Sequence, residues 1–465
     1  MKTIILILSL IPVCLNSAAQ HSKAPVEHVI HSKVFGTERK ISVCLPLEEE
    51  SGKQERYGVA YVFDGQFEPY TGMVNSMVQY YSSAGEGIPM IVVGIHTDKR
   101  WEEFVPAVEN DQIVEGTAAD QLAHFLSDEV FPLVDSLYPV KSFRLGVGHS
   151  LGGTFVLYEI MKEKPLFNGV IAVSPNLTMY NEYLVEKGKV FFEKGAKTPL
   201  FIYTSAGTFG NPEQFFIRSL SNLDTLYEKV KPTNIYWYCD RMKGEDHMTT
   251  FVPSFNKGYL ELSSRLMLTD RKLAEMAADK GKNITTALLE FYEERSRFSG
   301  EEQLVTTGLL IELGKRMLDL QEFEAVIVLS ESAVKLMETE EMKDKKALRE
   351  KLDARVEWAQ FNLLAQKADA TALRKDYRLA AQQYKEAFAM DLIKGTHMVR
   401  VRSVPVLAQA GETDLAFKQL ELLANTFELG GNGSIKDNPL CDPLKKDARW
   451  EKYMNKLEKN GAKYR

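Results

Sequence analysis

The sequence has few cysteines and no block of basic residues. Four cysteines, Cys14, Cys44, Cys239 and Cys441, are scattered over 465 residues. This distribution excludes a disulfide framework and the paired spacing of a structural zinc site. The formal net charge is −7, so nucleic acid is not an expected partner. Zinc-protease, Walker and dinucleotide-binding motifs are also missing, and we expect no metal and no other cofactor.

Long apolar runs are missing after the first twenty residues. Lys2, the apolar stretch Ile4 to Leu15 and the small residues Ser17-Ala18-Ala19 follow the order of a secretory signal peptide. The apolar stretch is too short to span a membrane, and no later stretch is long enough. We therefore expect a signal peptide over residues 1–19, cleavage near Ala19, and a periplasmic or secreted protein without a membrane span.

Residues 20–268 alternate apolar strand-like runs with helical patterns, which predicts an α/β domain with a mostly parallel sheet and helices on both faces. The eight predicted strands are Glu27–Phe35, Lys40–Leu45, Val59–Phe63, Met90–Ile95, Phe143–Val147, Val170–Val173, Leu200–Thr204 and Ile235–Tyr238. Helices are predicted over Ala119–Leu137, with a kink at Pro132, and over Gln214–Lys231.

Residues 269–465 are rich in alanine, leucine, glutamate and lysine and have helical spacing almost throughout, which predicts an all-α domain. Small and large apolar residues recur at intervals of four and three, as in the second helix of a tetratricopeptide (TPR) unit. The repeating positions are Ala380, Tyr384 and Ala387, then Ala416, Leu420 and Leu423. We predict a TPR-like domain that docks a protein partner, with an irregular helical bundle as the alternative.

Gly148-His149-Ser150-Leu151-Gly152-Gly153 is the most informative motif. It fits G-x-S-x-G between a predicted strand and a predicted helix, which is the arrangement of a nucleophile elbow. Small neighbours allow the tight turn, and the hydroxyl projects at the helix N-terminus. Ser150 is therefore the predicted nucleophile, and the Leu151 amide the first oxyanion donor. His149 occupies the variable position, and its side chain is expected to point away from the attack direction.

A serine nucleophile needs a base, and His247 follows the last predicted strand, where α/β hydrolases carry theirs. Glu213 is the carboxylate in the loop after Leu200–Thr204 and is a candidate for the third member of a triad. The alternative for Glu213 is a structural glutamate in the first turn of a helix, where a negative charge is favourable and common. Asp246, beside the base, and a Ser–His dyad without an acid are the other options, so the residues alone leave the acid open.

A second oxyanion donor is expected from the loop after Val59–Phe63. Gly65 allows close backbone approach, so the amide of Gly65 or of Gln66 is the candidate. Asp64 is expected to fix this turn.

Several segments resemble one family. They are Val34–Pro46, Tyr61–Gly65, Val92–Ile95 with Arg100, the elbow, and Val173–Asn176. Over roughly residues 27–265 the chain is similar to the esterase family of α/β hydrolases that includes enterochelin esterases, esterase D and secreted feruloyl esterases. The resemblance implies ester hydrolysis through an acyl-enzyme, without cofactor, with Ser150 and His247 at catalytic positions. Family members often carry a glutamate soon after a glycine in this loop, whereas Glu213 comes late.

The sequence therefore predicts an exported serine hydrolase that cleaves a small-molecule or carbohydrate-linked ester through Ser150, His247 and Glu213. Two alternatives stand beside it. One is a catalytically inactive hydrolase domain in a repeat-containing scaffold protein. The other is an acyltransferase of the same fold, because the family also includes mycolyl transferases. The sequence does not specify the acyl group, the alcohol or the oligomeric state.

Overall fold

The computed structural model describes residues 24–47, 56–109, 112–114, 116–300, 305–337, 346–427 and 433–462, and the expected signal peptide lies outside them. The chain divides into two compact units. The sheet unit comprises Met1–Ser263 and Phe298–Gly300, and the helical unit comprises Ser264–Arg297 and Glu301–Arg465. The boundary expected at residues 268/269 lies five residues beyond the division at Ser263.

One eight-stranded sheet forms the centre of the sheet unit. Its strands are β1 (Val26–His31), β2 (Glu38–Cys44), β3 (Tyr57–Phe63), β4 (Met90–Ile95), β7 (Val140–His149), β8 (Gly169–Val173), β9 (Leu200–Gly207) and β10 (Ile235–Met242), and β5 (Val108–Glu109) pairs separately with β6 (Gln112–Ile113). The order is β1-β2-β4-β3-β7-β8-β9-β10. β2 pairs antiparallel with both β1 and β4. The remaining neighbours in the order β4-β3-β7-β8-β9-β10 all pair parallel. The predicted fold class is confirmed.

The central strands are buried on both faces, which explains their unbroken apolar sequences. Every residue of β4 and of β8 is buried. Ile91, Val93, Ile95 and Val170 have no exposed surface and belong to one continuous core. Burying such a side chain contributes about 1.5–3 kcal/mol, so the strands that carry the loops of the site form a firm platform.

Helices cover this sheet. They are α1 (Glu68–Ser83), α2 (Arg100–Phe104), α3 (Ala118–Phe125), α4 (Phe131–Leu137), α5 (Leu151–Ile160), α6 (Met179–Lys194), α7 (Glu213–Val230) and α8 (Phe251–Leu266). The single helix predicted over Ala119–Leu137 is interrupted by a π-helical turn, Leu126–Val130. Pro132 lies in the first turn of α4, directly after this π-helical turn. The hydrogen bond that its missing N–H cannot donate therefore falls where π-helical pairing changes to α-helical pairing.

The helical unit continues with α9 (Asp270–Ala278), α10 (Ile284–Ser299), α11 (Thr307–Asp319), α12 (Phe323–Met337), α13 (Lys346–Leu373), α14 (Tyr377–Phe388), α15 (His397–Gln409), α16 (Thr413–Asn425), α17 (Gly433–Lys436) and α18 (Arg449–Ala462). The helix pairs α13/α14 and α15/α16 pack against each other. Gly411, with φ +78°, forms the turn between α15 and α16. The predicted repeat positions of α14 and α16 are all buried. The helical character is confirmed, and the TPR assignment stays a proposal.

None of the helices in the described ranges is long and apolar enough to cross a membrane.

Candidate active site

Ser150 lies between the end of β7 and the start of α5, with φ 58° and ψ −118°. A residue other than glycine in such a conformation costs about 1–3 kcal/mol, so neighbouring contacts must hold it. The Ser150 amide donates to the Val173 carbonyl at 2.9 Å, and the Thr154 amide donates to the Ser150 carbonyl at 3.0 Å. The half-buried serine therefore sits at a helix N-terminus in the turn of a nucleophile elbow.

Two of the glycines around Ser150 are required by close backbone contacts. A Cβ on Gly148 would lie 2.2 Å from the Gly152 carbonyl oxygen, and one on Gly153 would lie 3.0 Å from the Val173 carbonyl oxygen. A Cβ on Gly152 would instead meet its nearest atom, Cβ of Phe63, at 3.4 Å. The tight turn depends on Gly148 most.

His247, in the loop between β10 and α8, contacts Glu213 at the start of α7. Its Nδ1 donates to Glu213 Oε1 at 2.6 Å. The carboxyl group of Glu213 is fully buried, and its Oε2 accepts from the Ser174 hydroxyl at 3.0 Å and from the Gly207 amide. With the proton on Nδ1, the Nε2 atom of His247 is left as the proton acceptor.

The structure distinguishes the two candidate acids. Asp246 Oδ1 accepts from the amides of Met248 and Thr249, each at 2.9 Å, so its carboxylate caps its own turn. These amides, Thr249 first, lower the pKa of Asp246. Glu213 is the carboxylate that meets the imidazole. Its late place in the loop is compensated because its side chain reaches back to the Gly207 amide.

The expectation that the Gly65 amide could be an oxyanion donor is wrong. That amide donates to the Ile95 carbonyl at 2.8 Å. Gly65 instead allows close approach, since a Cβ there would lie 2.7 Å from the carbonyl carbon of Gly94. Within the described part of the chain, the Gln66 and Leu151 amides donate to no protein acceptor.

An ion pair between Asp64 and Arg100 holds the loop that carries Gln66. The sequence alone indicated no partner for Asp64. Asp64, almost fully buried and with φ 64°, pairs with Arg100 through Nε at 2.7 Å and Nη2 at 2.8 Å. The Gln66 side chain donates to Asp64 Oδ1 at 3.1 Å and accepts from the Thr97 amide at 2.9 Å. The Asp64 carboxylate thus fixes the turn, as expected, with Arg100 as its partner.

The side chain of His149 contacts the residue proposed as the base, His247. Its ring lies against that of His247, with 4.6 Å between centroids. Its Nε2 contacts the His247 carbonyl oxygen at 2.7 Å, and its Nδ1 contacts the Tyr70 hydroxyl at 2.7 Å. Sequence reasoning missed this contact because it joins three elements that are distant in the chain.

The Ser150 hydroxyl forms no hydrogen bond with any residue that the structure describes. Among the described residues, the structure therefore brings His247 and Glu213 into contact but does not join Ser150 to His247 by a hydrogen bond. Catalytic hydrogen bonds often tighten only when substrate binds.

Large apolar side chains are exposed after each of five strands, at the edge of the sheet where Ser150 lies. Phe67 follows β3, Trp101 follows β4, Tyr180 follows β8, Phe209 follows β9 and Met248 follows β10. Their exposed fractions run from 46% for Tyr180 to 66% for Trp101. Exposed apolar groups grouped at one edge are typical of a binding surface.

Comparison with known proteins identifies the family of the sheet unit. Residues 32–259 match the model of the family described as "Putative esterase". Residues 32–259 of this chain belong to that esterase family. The matched model is that of an esterase family, and the mostly parallel sheet of this unit is of the α/β-hydrolase type. Within the described ranges, no cluster of three His, Cys, Asp or Glu residues could hold a metal ion.

A relative of this chain is the siderophore enterobactin esterase of Emericella nidulans, 27% identical over 119 residues. The match covers 24% of this chain and 38% of that relative, so the chain spans well under half of its length.

Two solved structures share the fold. An IroE-like serine hydrolase from Shewanella oneidensis matches with a TM-score of 0.51 and 18% identity, over 66% of this chain and 97% of its own. An uncharacterised protein from Capnocytophaga ochracea matches with a TM-score of 0.56 and 16% identity, over 83% of this chain and 99% of its own. The second match covers more of this chain than the sheet unit alone.

Proposed function

We propose that this esterase hydrolyses carboxylic esters through an acyl-enzyme, with Ser150 as nucleophile, His247 as general base and Glu213 as the acid of the triad. The observation that carries the proposal is the hydrogen bond between His247 Nδ1 and the fully buried carboxylate of Glu213, on the same sheet edge as the Ser150 elbow. A solvated first-turn glutamate would have no reason to be buried against an imidazole.

In the first half-reaction the Ser150 hydroxyl attacks the ester carbonyl carbon, and its proton passes to His247 Nε2. Glu213 holds the Nδ1 proton and stabilises the imidazolium. The carbonyl oxygen becomes an oxyanion, which accepts from the Leu151 and Gln66 amides. The tetrahedral intermediate then expels the alcohol, which takes the proton from His247, and the acyl group stays on Ser150.

In the second half-reaction water attacks the acyl carbon and gives a proton to His247. The carboxylic acid product leaves as Ser150 recovers its proton from His247. An acyltransferase would use an alcohol in place of this water, so analysis of products formed with added alcohols separates the two activities.

The exposed side chains Phe67, Trp101, Tyr180, Phe209 and Met248 support a substrate with aromatic or apolar groups around the ester. Because a relative is described as an enterobactin esterase, enterobactin is a suitable first substrate to test. Small-molecule esters and carbohydrate-linked aryl esters are both compatible with an open edge of this kind.

We further propose that the protein is exported after cleavage near Ala19 and that the helical unit docks a protein partner as a TPR-like module. Cleavage would give a mature chain beginning at Gln20. Mass spectrometry of the amino terminus of protein expressed in a native-like host, from the extracytoplasmic fraction, tests the export.

The test of the enzyme uses a fluorophosphonate probe and a panel of aryl, acetylated-sugar and catecholate esters. The wild-type protein is expected to be labelled at Ser150 and to turn over at least one ester class. Ser150→Ala abolishes both, and His247→Ala slows both strongly. Labelling that survives Ser150→Ala overturns the nucleophile, and no turnover of any ester favours the inactive scaffold.

A further inference from the structure

His149 contacts the loop of the catalytic base directly. The His247 carbonyl oxygen can only accept a hydrogen bond, so His149 Nε2, 2.7 Å away, carries the proton and donates it. His149 Nδ1 is then the acceptor for the Tyr70 hydroxyl at 2.7 Å. Both ring nitrogens of this buried histidine are satisfied, and one tautomer is fixed.

The surroundings keep this arrangement neutral. Burial, followed by the nearby His247, lowers the pKa of His149 to about 4. Burial raises the pKa of Tyr70, which therefore stays protonated and able to donate. The Arg100 guanidinium, which donates to the His149 carbonyl at 3.4 Å, adds to the penalty on a charged His149 ring.

The same histidine also packs on the base. Its ring lies 4.6 Å from that of His247, while Phe216 contacts His247 edge-on at 5.6 Å. His247 is thus held at its Nδ1 by Glu213, at its carbonyl by His149 and on its ring by two aromatic neighbours.

We propose that His149, oriented by Tyr70, is a positioning residue that anchors the backbone of His247 so that its Nε2 faces the Ser150 hydroxyl. This proposal rests on the proposed esterase function. His149 itself touches neither substrate nor the reacting atoms. The residue at the variable position of the elbow would then affect catalysis by positioning the base.

Two substitutions of His149 distinguish the hydrogen bond donated by Nε2 from the other contacts of the imidazole ring. In His149→Gln the amide nitrogen lies near the place of Nε2 and still donates to the His247 carbonyl. In His149→Asn the shorter side chain reaches only the Nδ1 side, toward Tyr70. Tyr70→Phe, which removes one hydroxyl, serves as a third variant that leaves the imidazole in place.

The measurements are kcat and KM with the best ester, the rate of fluorophosphonate labelling, and the thermal midpoint. We expect His149→Asn to lower kcat about 10- to 100-fold through misplacement of the base, with KM little changed. His149→Gln and Tyr70→Phe are expected to lower kcat by about fivefold, the loss of one neutral hydrogen bond. A structural role alone would lower the thermal midpoint without separating Gln from Asn in kcat.

Equal kcat values for the Gln and Asn variants overturn the proposal, whether both match the wild type or both fall together. If His149→Asn does not fold, a Tyr70→Phe variant with wild-type kcat overturns it and one with lowered kcat at constant KM supports it. A wild-type protein without labelling or turnover would instead contradict the proposed function, so the two failures are distinguishable.

Discussion

At the scale of single residues, Ser150 combines an unfavourable backbone conformation with a reactive position. Its φ of 58° and ψ of −118° are held by hydrogen bonds to Val173 and Thr154. Because the surrounding structure fixes the turn, the strain is present in the folded protein before any substrate binds.

Replacing Ser150 by glycine is therefore expected to stabilise the protein. Relief of about 1–3 kcal/mol of strain exceeds the extra chain entropy of glycine, about 0.5–1 kcal/mol, which leaves a net gain of about 1 kcal/mol. Ser150→Ala is the matched control, since alanine keeps the strain and also lacks the hydroxyl. Thermal unfolding compares the two inactive variants, and equal midpoints would argue against stored strain.

The carboxylate of Glu213 can be tested against that of Asp246. Glu213→Gln keeps the shape but removes the charge that stabilises the His247 imidazolium, so kcat should fall about 10²- to 10⁴-fold. Asp246→Asn keeps an acceptor for its turn and should leave kcat nearly unchanged. Steady-state kinetics on one ester decides, and the reverse ranking would move the acid to Asp246.

At the scale of elements, the strand–turn–helix unit of β7 and α5 depends on how closely its backbone folds on itself. Gly148 and Gly152 differ in the space beside them although both belong to the motif. A side chain at Gly148 meets a backbone carbonyl, which cannot rotate away, whereas one at Gly152 reaches only ordinary contact distances.

Gly148→Ala should accordingly destabilise the protein by about 3 kcal/mol or more, because the overlap at 2.2 Å can be relieved only by moving the backbone. Gly152→Ala should stay within about 1 kcal/mol of the wild type, since alanine is the better helix former. Soluble yield and thermal midpoint provide the comparison. Similar losses for both variants would mean that the elbow is not the tight turn described above.

Much of the element pattern could be predicted from the sequence, and the exceptions have physical reasons. The buried parallel strands are recognisable because their apolar runs are continuous. The π-turn before Pro132 was missed because helical periodicity over Ala119–Leu137 continues through it. The hydrogen bond that occupies the Gly65 amide could not be foreseen, because its acceptor Ile95 ends β4, which is distant in the sequence.

At the scale of the whole molecule, the described candidate catalytic residues all lie in the sheet unit, and the helical unit has buried clusters of its own. Leu145 belongs to the core of the sheet unit, and Leu457 to a cluster in the helical unit that includes Trp450. Both leucines are fully buried, so they form a matched pair for core truncation.

Leu457→Ala is expected to cost about 2–5 kcal/mol of stability in the helical unit and to leave kcat at 25 °C unchanged. Leu145→Ala should cost a similar amount and lower the temperature at which activity is lost, because Leu145 lies on the strand that leads to Ser150. Calorimetry and kinetics on the full chain measure both effects. A lower kcat in folded Leu457→Ala would show that the helical unit takes part in catalysis.

The sequence by itself determined the order of strands and helices, the elbow at Ser150 and the place of His247, because these follow from local periodicity, turn chemistry and chain order. It left the acid open between Glu213, Asp246 and none, and it gave His149 no role. Only the tertiary structure decided these contacts. They join β7, α1, α7 and the loop after β10, and distances between residues far apart in the chain are set by packing.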